Sequence, residues 1–328
     1  GWTLSQQDDT IVVATESLRA TVHQPLWIEW HYRNTEGEWQ TLVNDRPTSA
    51  YLVNAHGDGV AHYQSRRKDE RFYGLGDKAG DLQRGGKRYE MRNLDAMGYN
   101  AVSTDPLYKH IPFTITRRDD VSFGLFYDNL SSCWLDLGNE IDNYHTAYRR
   151  WQAEAGDIDY YLFTGERVLD VTKAFVRLTG KTLFGPKWSL GYSGSTMHYT
   201  DAPDAQNQLM NFIRLCDEHA IPCDSFQLSS GYTSINGKRY VFNWNYDKVP
   251  QPKVMSQAFH DAGLHLAANI KPCLLQDHPR YGEVAESGLF IRDSESNGPE
   301  RSSFWDDEGS HLDFTNPKTV AWWQEGVT

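Results

Sequence analysis

IPCDSFQLSSGYTSINGKRYVFNWNYDKVPQP, residues Ile221 to Pro252, joins a short apolar run to a long loop. Between Pro222 and Gly231 there is too little chain for a helix, so Asp224 to Leu228 reads as a short buried strand. The loop beyond it offers Ser229, Ser230, Tyr232, Ser234, Asn236 and Asn243, with Tyr240, Phe242 and Trp244 among them. Hydroxyls and amides interleaved with aromatic rings suit a sugar. The same composition also serves an ordinary polar connection.

Outward from this strand the period becomes helical on both sides. A helix near Pro203 to Ala220 places Leu209, Phe212, Ile213 and Cys216 on one face, and Trp188 to Tyr192 ahead of it reads as another short buried strand. On the far side a helix near Lys253 to Ala262 is stopped by Gly263, and His265 to Ile270 is a third strand. Strand, helix, strand, helix, strand requires a parallel sheet with right-handed crossovers, which both doubly wound sheets and closed barrels satisfy. No glycine-rich phosphate loop follows any of the strands, so a nucleotide-binding sheet loses support. In a barrel the chemistry gathers where strands end, here at Ser193-Gly194-Ser195, Ser229 to Tyr232 and Lys271-Pro272.

The chain up to about Tyr161 has a different period. Leu26, Ile28, Trp30 and Tyr32 alternate; Ile111, Phe113 and Ile115 alternate, turn at Arg117 to Asp120, and alternate back as Val121, Phe123, Leu125 and Tyr127. Many short strands of this kind predict a β-sandwich. Residues 73–100 read instead as one long loop, longer than a compact domain usually carries without a functional reason. Val168, Leu169, Val171, Ala174, Phe175 and Leu178 then fall on one helical face ended by Gly180. The expected division is a sandwich over residues 1–180 and the strand–helix series over 181–328.

A net charge of −12 over 328 residues argues against a nucleic-acid footprint. No apolar run spans a bilayer, and no membrane attachment is expected. Cys133, Cys216, Cys223 and Cys273 lack metal or redox spacing and read as buried free thiols, which favours the cytoplasm while leaving periplasm or secretion open. The final residues, Thr319 to Thr328, begin an amphipathic helix and stop, which reads as a piece of a longer protein. A homo-oligomer is compatible with the sequence.

Four stretches together resemble family 31 of the glycoside hydrolases: Tyr73-Gly74-Leu75-Gly76-Asp77; Leu178-Thr179-Gly180-Lys181 through Phe184-Gly185-Pro186-Lys187-Trp188-Ser189-Leu190-Gly191-Tyr192; Ile221-Pro222-Cys223-Asp224 with Phe242-Asn243-Trp244-Asn245; and Leu312-Asp313-Phe314-Thr315-Asn316-Pro317. The resemblance implies an N-terminal sandwich over residues 1–180 whose 73–100 loop reaches the active site, followed over 181–328 by the first three strands of a (β/α)8 TIM barrel; it also implies an oligosaccharide or α-glycoside substrate and a retaining mechanism. In that mechanism an aspartate attacks the anomeric carbon while a second aspartate serves as acid and then base. It places both carboxylates beyond residue 328, so no catalytic residue is assigned within this chain. It implies no metal or organic cofactor, because both steps use carboxylates alone. It also implies that Asp95 reaches the substrate hydroxyls and gives Trp305 a ring to stack on the sugar. The neighbouring Asp306, Asp307 and Glu308 read as solvated surface.

The chain departs from the family pattern where specificity is set. An Asp-Ile-Asp-Tyr pattern usual at the second strand end in α-glucosidases is replaced by Ser229-Ser230-Gly231-Tyr232, and an Asp-Pro after the third strand by Lys271-Pro272. Lost acceptors at a sugar pocket change which sugar fits. The resulting expectation is a retaining α-glycoside hydrolase or transglycosylase with a non-standard −1 subsite, for example for an α-galactoside, in which Asp95, Ser193, Ser229, Ser230, Tyr232, Lys271 and Trp305 meet the substrate. The rival expectation is a carbohydrate-binding protein with a non-catalytic barrel.

Overall fold

Alternating side chains over Trp2 to Gly165 form fourteen antiparallel strands in a computed structural model that describes residues 1–7, 9–54, 57–96 and 98–328. β1 (Trp2–Gln7), β2 (Thr10–Thr15), β3 (Leu18–His23), β4 (Trp27–Arg33) and β5 (Trp39–Asn44) make one meander. β6 (Tyr51–Val53), β7 (Val60–Ser65), β8 (Arg71–Gly76) and β9 (Arg88–Met91) come next. β10 (His110–Arg117), β11 (Ser122–Tyr127), β12 (Cys133–Asp136), β13 (Tyr148–Ala153) and β14 (Tyr160–Gly165) complete the set. They build two further sheets, ordered β6-β7-β13-β12-β9 and β14-β11-β10-β8. Tyr32, Leu42, Phe72, Phe123, Leu125 and Trp151, drawn from all three sheets, share one core, as a sandwich requires.

The hairpin expected around Arg117 to Asp120 is β10 paired with β11, with Phe113 opposite Phe126 and Ile115 opposite Gly124. The 73–100 segment is less uniform than its sequence suggests. Tyr73 to Gly76 lies in β8 and Arg88 to Met91 is β9, while Met97 lies outside the described residues. Gly74 and Gly76 hide the strand signal: both have positive φ, and a Cβ on Gly74 would sit 2.5 Å from the Phe113 carbonyl oxygen. A strand that must approach its neighbour this closely cannot show apolar alternation. α1 (Val168–Thr179) then lays Phe175 flat on Phe113, ring centroids 4.0 Å apart, and ends at Gly180 with φ 98°.

Gly1–Thr182 and Leu183–Thr328 are the two units of the chain. The second opens with a 3-10 turn at Lys187–Leu190, where the sequence suggested a strand. Pro186 starts the turn, and the Trp188 ring stacks on His265 at 3.9 Å, so its apolarity reflects ring packing rather than strand pairing. The strand begins only at β15 (Ser193–Ser195). α2 (Met197–Asp201), α3 (Ala205–Glu218) and β16 (Ser225–Leu228) follow; then a small hairpin of β17 (Ser234–Ile235) and β18 (Lys238–Arg239), α4 (Pro252–Asp261) and β19 (His265–Ala268).

β15, β16 and β19 run parallel, with Ser193 beside Ser225 and Ser225 beside His265. Leu209, Phe226, Leu228, Met255 and Phe259 form the core between this sheet and its helices. Gly194 lets β15 approach that layer: a Cβ there would meet the Phe212 and Phe226 rings at 2.7 and 2.8 Å. Beyond β19 come β20 (Cys273–Leu275), α5 (Tyr281–Glu286), β21 (Ser302–Ser303), β22 (Glu308–His311) and α6 (Pro317–Val327). α6 begins with Pro317 in its first turn and the Asn316 side chain accepting from the Lys318 N–H.

Candidate functional site

The parallel strands point their ends at one group of polar side chains. Ser195, closing β15, and Ser229, just past β16, bring their Oγ atoms within 3.5 Å. Ser193 begins β15, and its Oγ is buried with no hydrogen-bond partner among the described residues. Such an orphan is costly unless another group meets it.

Tyr232 is 4 % exposed, its ring lies 4.7 Å from that of Trp244, and its hydroxyl donates to the Asn269 carbonyl oxygen at 3.2 Å. Burial pushes that phenol up to about 12. Its geometry is that of a tie between the ends of β16 and β19, with its hydrogen of the O–H already engaged.

Ser230, Lys271 and Trp305 line one cleft together with Thr233, Arg239 and Asn269. The cleft encloses about 30 Å³, room for about two waters, so these residues form one wall of a site rather than a closed sugar pocket. Lys271 Nζ stands 5.5 Å from the Trp305 ring centroid, within cation–π range. Trp305 is 61 % exposed, leaving most of the indole available. Cys273 also lines the cleft; burial raises its thiol to about 11, which keeps it protonated and unreactive.

Two residues that sequence reasoning passed over, Asp201 and Arg239, organise this wall. Gly231 has no side chain, and the space a Cβ would take is filled from α2: Asp201 Oδ1 lies 2.2 Å and the Thr200 carbonyl carbon 2.6 Å from that position. A carboxylate therefore still stands at the second strand end, supplied by another element. Arg239 joins it to the far side, with Nη2 3.4 Å from both Asp201 oxygens and Nη1 2.7 Å from Asp306 Oδ1. Asp306 is thus not the solvated charge the sequence suggested, since its side chain is only 10 % exposed and paired. The missed signal is Asn236-Gly237, both at positive φ, the residue pair favoured in the tight hairpin that delivers Lys238 and Arg239.

Asp95 belongs to the first unit. It is exposed, beside Tyr108, whose hydroxyl donates to the Ala96 carbonyl oxygen at 3.2 Å. Desolvation and then the Asp95 charge push the Tyr108 phenol upward. Asn93 Oδ1 accepts from the His110 N–H at 3.2 Å, and Tyr99 meets Tyr108 edge to face, so the segment around Asp95 is anchored to the start of β10.

Residues 1–136 match the glycosyl hydrolase 31 N-terminal galactose mutarotase-like domain, and residues 182–328 match the glycosyl hydrolases family 31 TIM-barrel domain. The chain belongs to glycosyl hydrolase family 31. β15, β16 and β19 are accordingly the opening strands of this family's barrel, and the sandwich ahead of them is its usual N-terminal partner.

The family 31 chain is 29 % identical to alpha-glucosidase 2 of Bacillus thermoamyloliquefaciens over 96 % of its own length and 40 % of that protein. To human neutral alpha-glucosidase AB it is 28 % identical, over 77 % of this chain and 28 % of the other. A solved Flavobacterium johnsoniae GH31 dextranase, complexed with glucose, superposes with a TM-score of 0.83 at 26 % identity, covering 99 % of this chain and 38 % of that one. The chain thus spans two fifths or less of the length of each.

Proposed function

We propose that this family 31 chain is part of a retaining α-glycoside hydrolase or transglycosylase whose −1 subsite takes a sugar other than α-glucose, such as an α-galactoside. The observation that carries the specificity reading is the second strand end. Ser229, Ser230 and Gly231 replace the acidic pattern usual in α-glucosidases, and the carboxylate at that point comes instead from Asp201 on α2. The third strand end supports it, because Lys271 has no carboxylate within 4 Å among the described residues and faces an indole. An acceptor moved to a different backbone position offers its lone pairs along a different direction, which discriminates between equatorial and axial hydroxyls.

In this reading an aspartate on a later part of the barrel attacks the anomeric carbon while a second aspartate protonates the departing oxygen. The second aspartate then takes a proton from water, or from an acceptor sugar hydroxyl, as that oxygen displaces the enzyme carboxylate. Asp95, Ser193, Ser229, Ser230, Tyr232, Lys271 and Trp305 bind and orient the sugar, with Tyr232 acting through the Asn269 carbonyl it holds.

A panel of nitrophenyl α-glycosides assayed on the full-length protein tests this. Turnover of α-galactoside or another non-gluco substrate above α-glucoside is the expected result; fast α-glucoside turnover with none on the others overturns the specificity reading. The rival, a sugar-binding protein with a non-catalytic barrel, requires sugar-dependent stabilisation with no turnover of any glycoside.

A further inference from the structure

Trp305 sits in the tight turn between β21 and β22, where the Phe304 N–H donates to the Asp307 carbonyl oxygen at 2.9 Å. An exposed indole on a four-residue turn has little packing of its own to fix its direction. The two residues after it are held instead. Asp306 receives the Arg239 backbone N–H on Oδ2 at 2.9 Å and Arg239 Nη1 on Oδ1 at 2.7 Å. Asp307 receives Lys238 Nζ at 2.5 Å, and the same ammonium reaches Asp277 at 2.7 Å.

Burial decides which of these matters. The carboxylates of Asp277 and Asp307 are 47 % and 49 % exposed, and pairs so open to water are screened and hold little. Arg239 and Asp306 are 19 % and 10 % exposed and share two hydrogen bonds, so that pair is less screened and geometrically specific. On its other side Arg239 faces Asp201, which is anchored by its place beside Gly231. Arg239 therefore ties the turn carrying Trp305 to the end of β16.

We propose that Arg239 is a positioning residue for Trp305, setting the indole over Lys271 at the cleft by holding Asp306 against the second strand end. Its hold on the turn runs through Asp306. The proposal rests on the reading above that Trp305 meets the substrate.

The test is a double-mutant cycle in the full-length enzyme on the α-glycoside it turns over best, with Arg239→Gln, Trp305→Ala and the pair. Misplaced substrate-positioning groups cost up to about a hundredfold, so each single change is expected to lower kcat/KM by roughly tenfold or more, chiefly through KM. The double variant should be no worse than the worse single one, because Arg239 acts through the ring that is already gone. Arg239→Lys should restore part of the loss. If Arg239→Gln leaves kcat/KM unchanged, or the two losses multiply, the positioning role is overturned while Trp305 keeps its place at the sugar. If Trp305→Ala itself changes nothing, the sugar reading of Trp305 falls and takes the proposal with it. Asp306→Asn, which keeps the shape and removes the charge, should reproduce Arg239→Gln and replaces it should that variant fail to fold.

Discussion

Gly231 shows how one missing side chain can redirect a site. Its Cβ direction points at the Thr200 backbone, with the carbonyl carbon and oxygen 2.6 and 2.7 Å away, and backbone cannot rotate aside as a side chain can. Gly231→Ala should therefore cost ~1–3 kcal/mol as an overpacking change, read as a lower denaturant midpoint at unchanged slope; an unchanged midpoint would show that α2 yields. Asp95 is tested by function instead. Asp95→Ala should lower kcat/KM of the full-length enzyme more than about tenfold, the scale of a lost charge-assisted hydrogen bond, and an unchanged value removes it from the substrate. Asp95, Ser229 and Trp305 were marked in the sequence, as candidates to meet a sugar, by motif and loop composition. Arg239 and Asp201 were not, since their importance lies in partners 67 and 38 residues away along the chain.

The element at the centre of the second unit is β16, flanked by β15 and β19 and packed through Phe226. That ring is 1 % exposed, with Phe212 and Phe259 at 4.8 and 5.7 Å. Phe226→Ala should cost ~3–5 kcal/mol, seen as a matching fall in unfolding free energy. The β17–β18 hairpin is held quite differently, by charge. Asp277 and Asp307 are both kept below the usual carboxylate range, in each case first by the hydrogen bond from the Lys238 ammonium. A depressed folded-state carboxyl adds stability that is complete above its ordinary value, about 4, and is lost as pH falls through the lower folded-state one. Lys238→Met should therefore lower stability slightly at neutral pH and leave the value at the acid limit unchanged, flattening that part of the acid-unfolding curve; an unaltered acid limb would show that the pairs contribute nothing.

Across the whole molecule both units leave some large apolar side chains exposed, Leu130 and Tyr144 in the first and Phe184 in the second, and they differ in how their sheets are covered. The sandwich encloses Phe72, Phe123, Met91 and Leu137 at 0 % exposure. In the second unit Phe184 is 100 % and Leu183 and Leu190 are 87 % exposed, and His265, Ala267 and Ala268 of β19 are open to solvent. Parallel sheets are stable when both faces are covered. Excised residues 1–182 should therefore melt cooperatively by circular dichroism, while residues 183–328 alone should melt broadly and bind a hydrophobic dye. A sharp, dye-free transition of the second segment would contradict this.

The sequence by itself determined the sandwich, the strand–helix series, the helix end at Gly180 and the family, because periodicity, caps and motifs are local properties of the chain. It misplaced the first parallel strand at Trp188 and smoothed β8 and β9 into a loop, because an apolar ring and a glycine are read by their neighbours in space. Only the tertiary structure decided that Asp306 is held rather than solvated, that Asp201 stands in the side-chain space of Gly231, and that Lys271 meets an indole. Each of these is an electrostatic or steric contact between residues far apart in sequence, and no spacing along the chain encodes them.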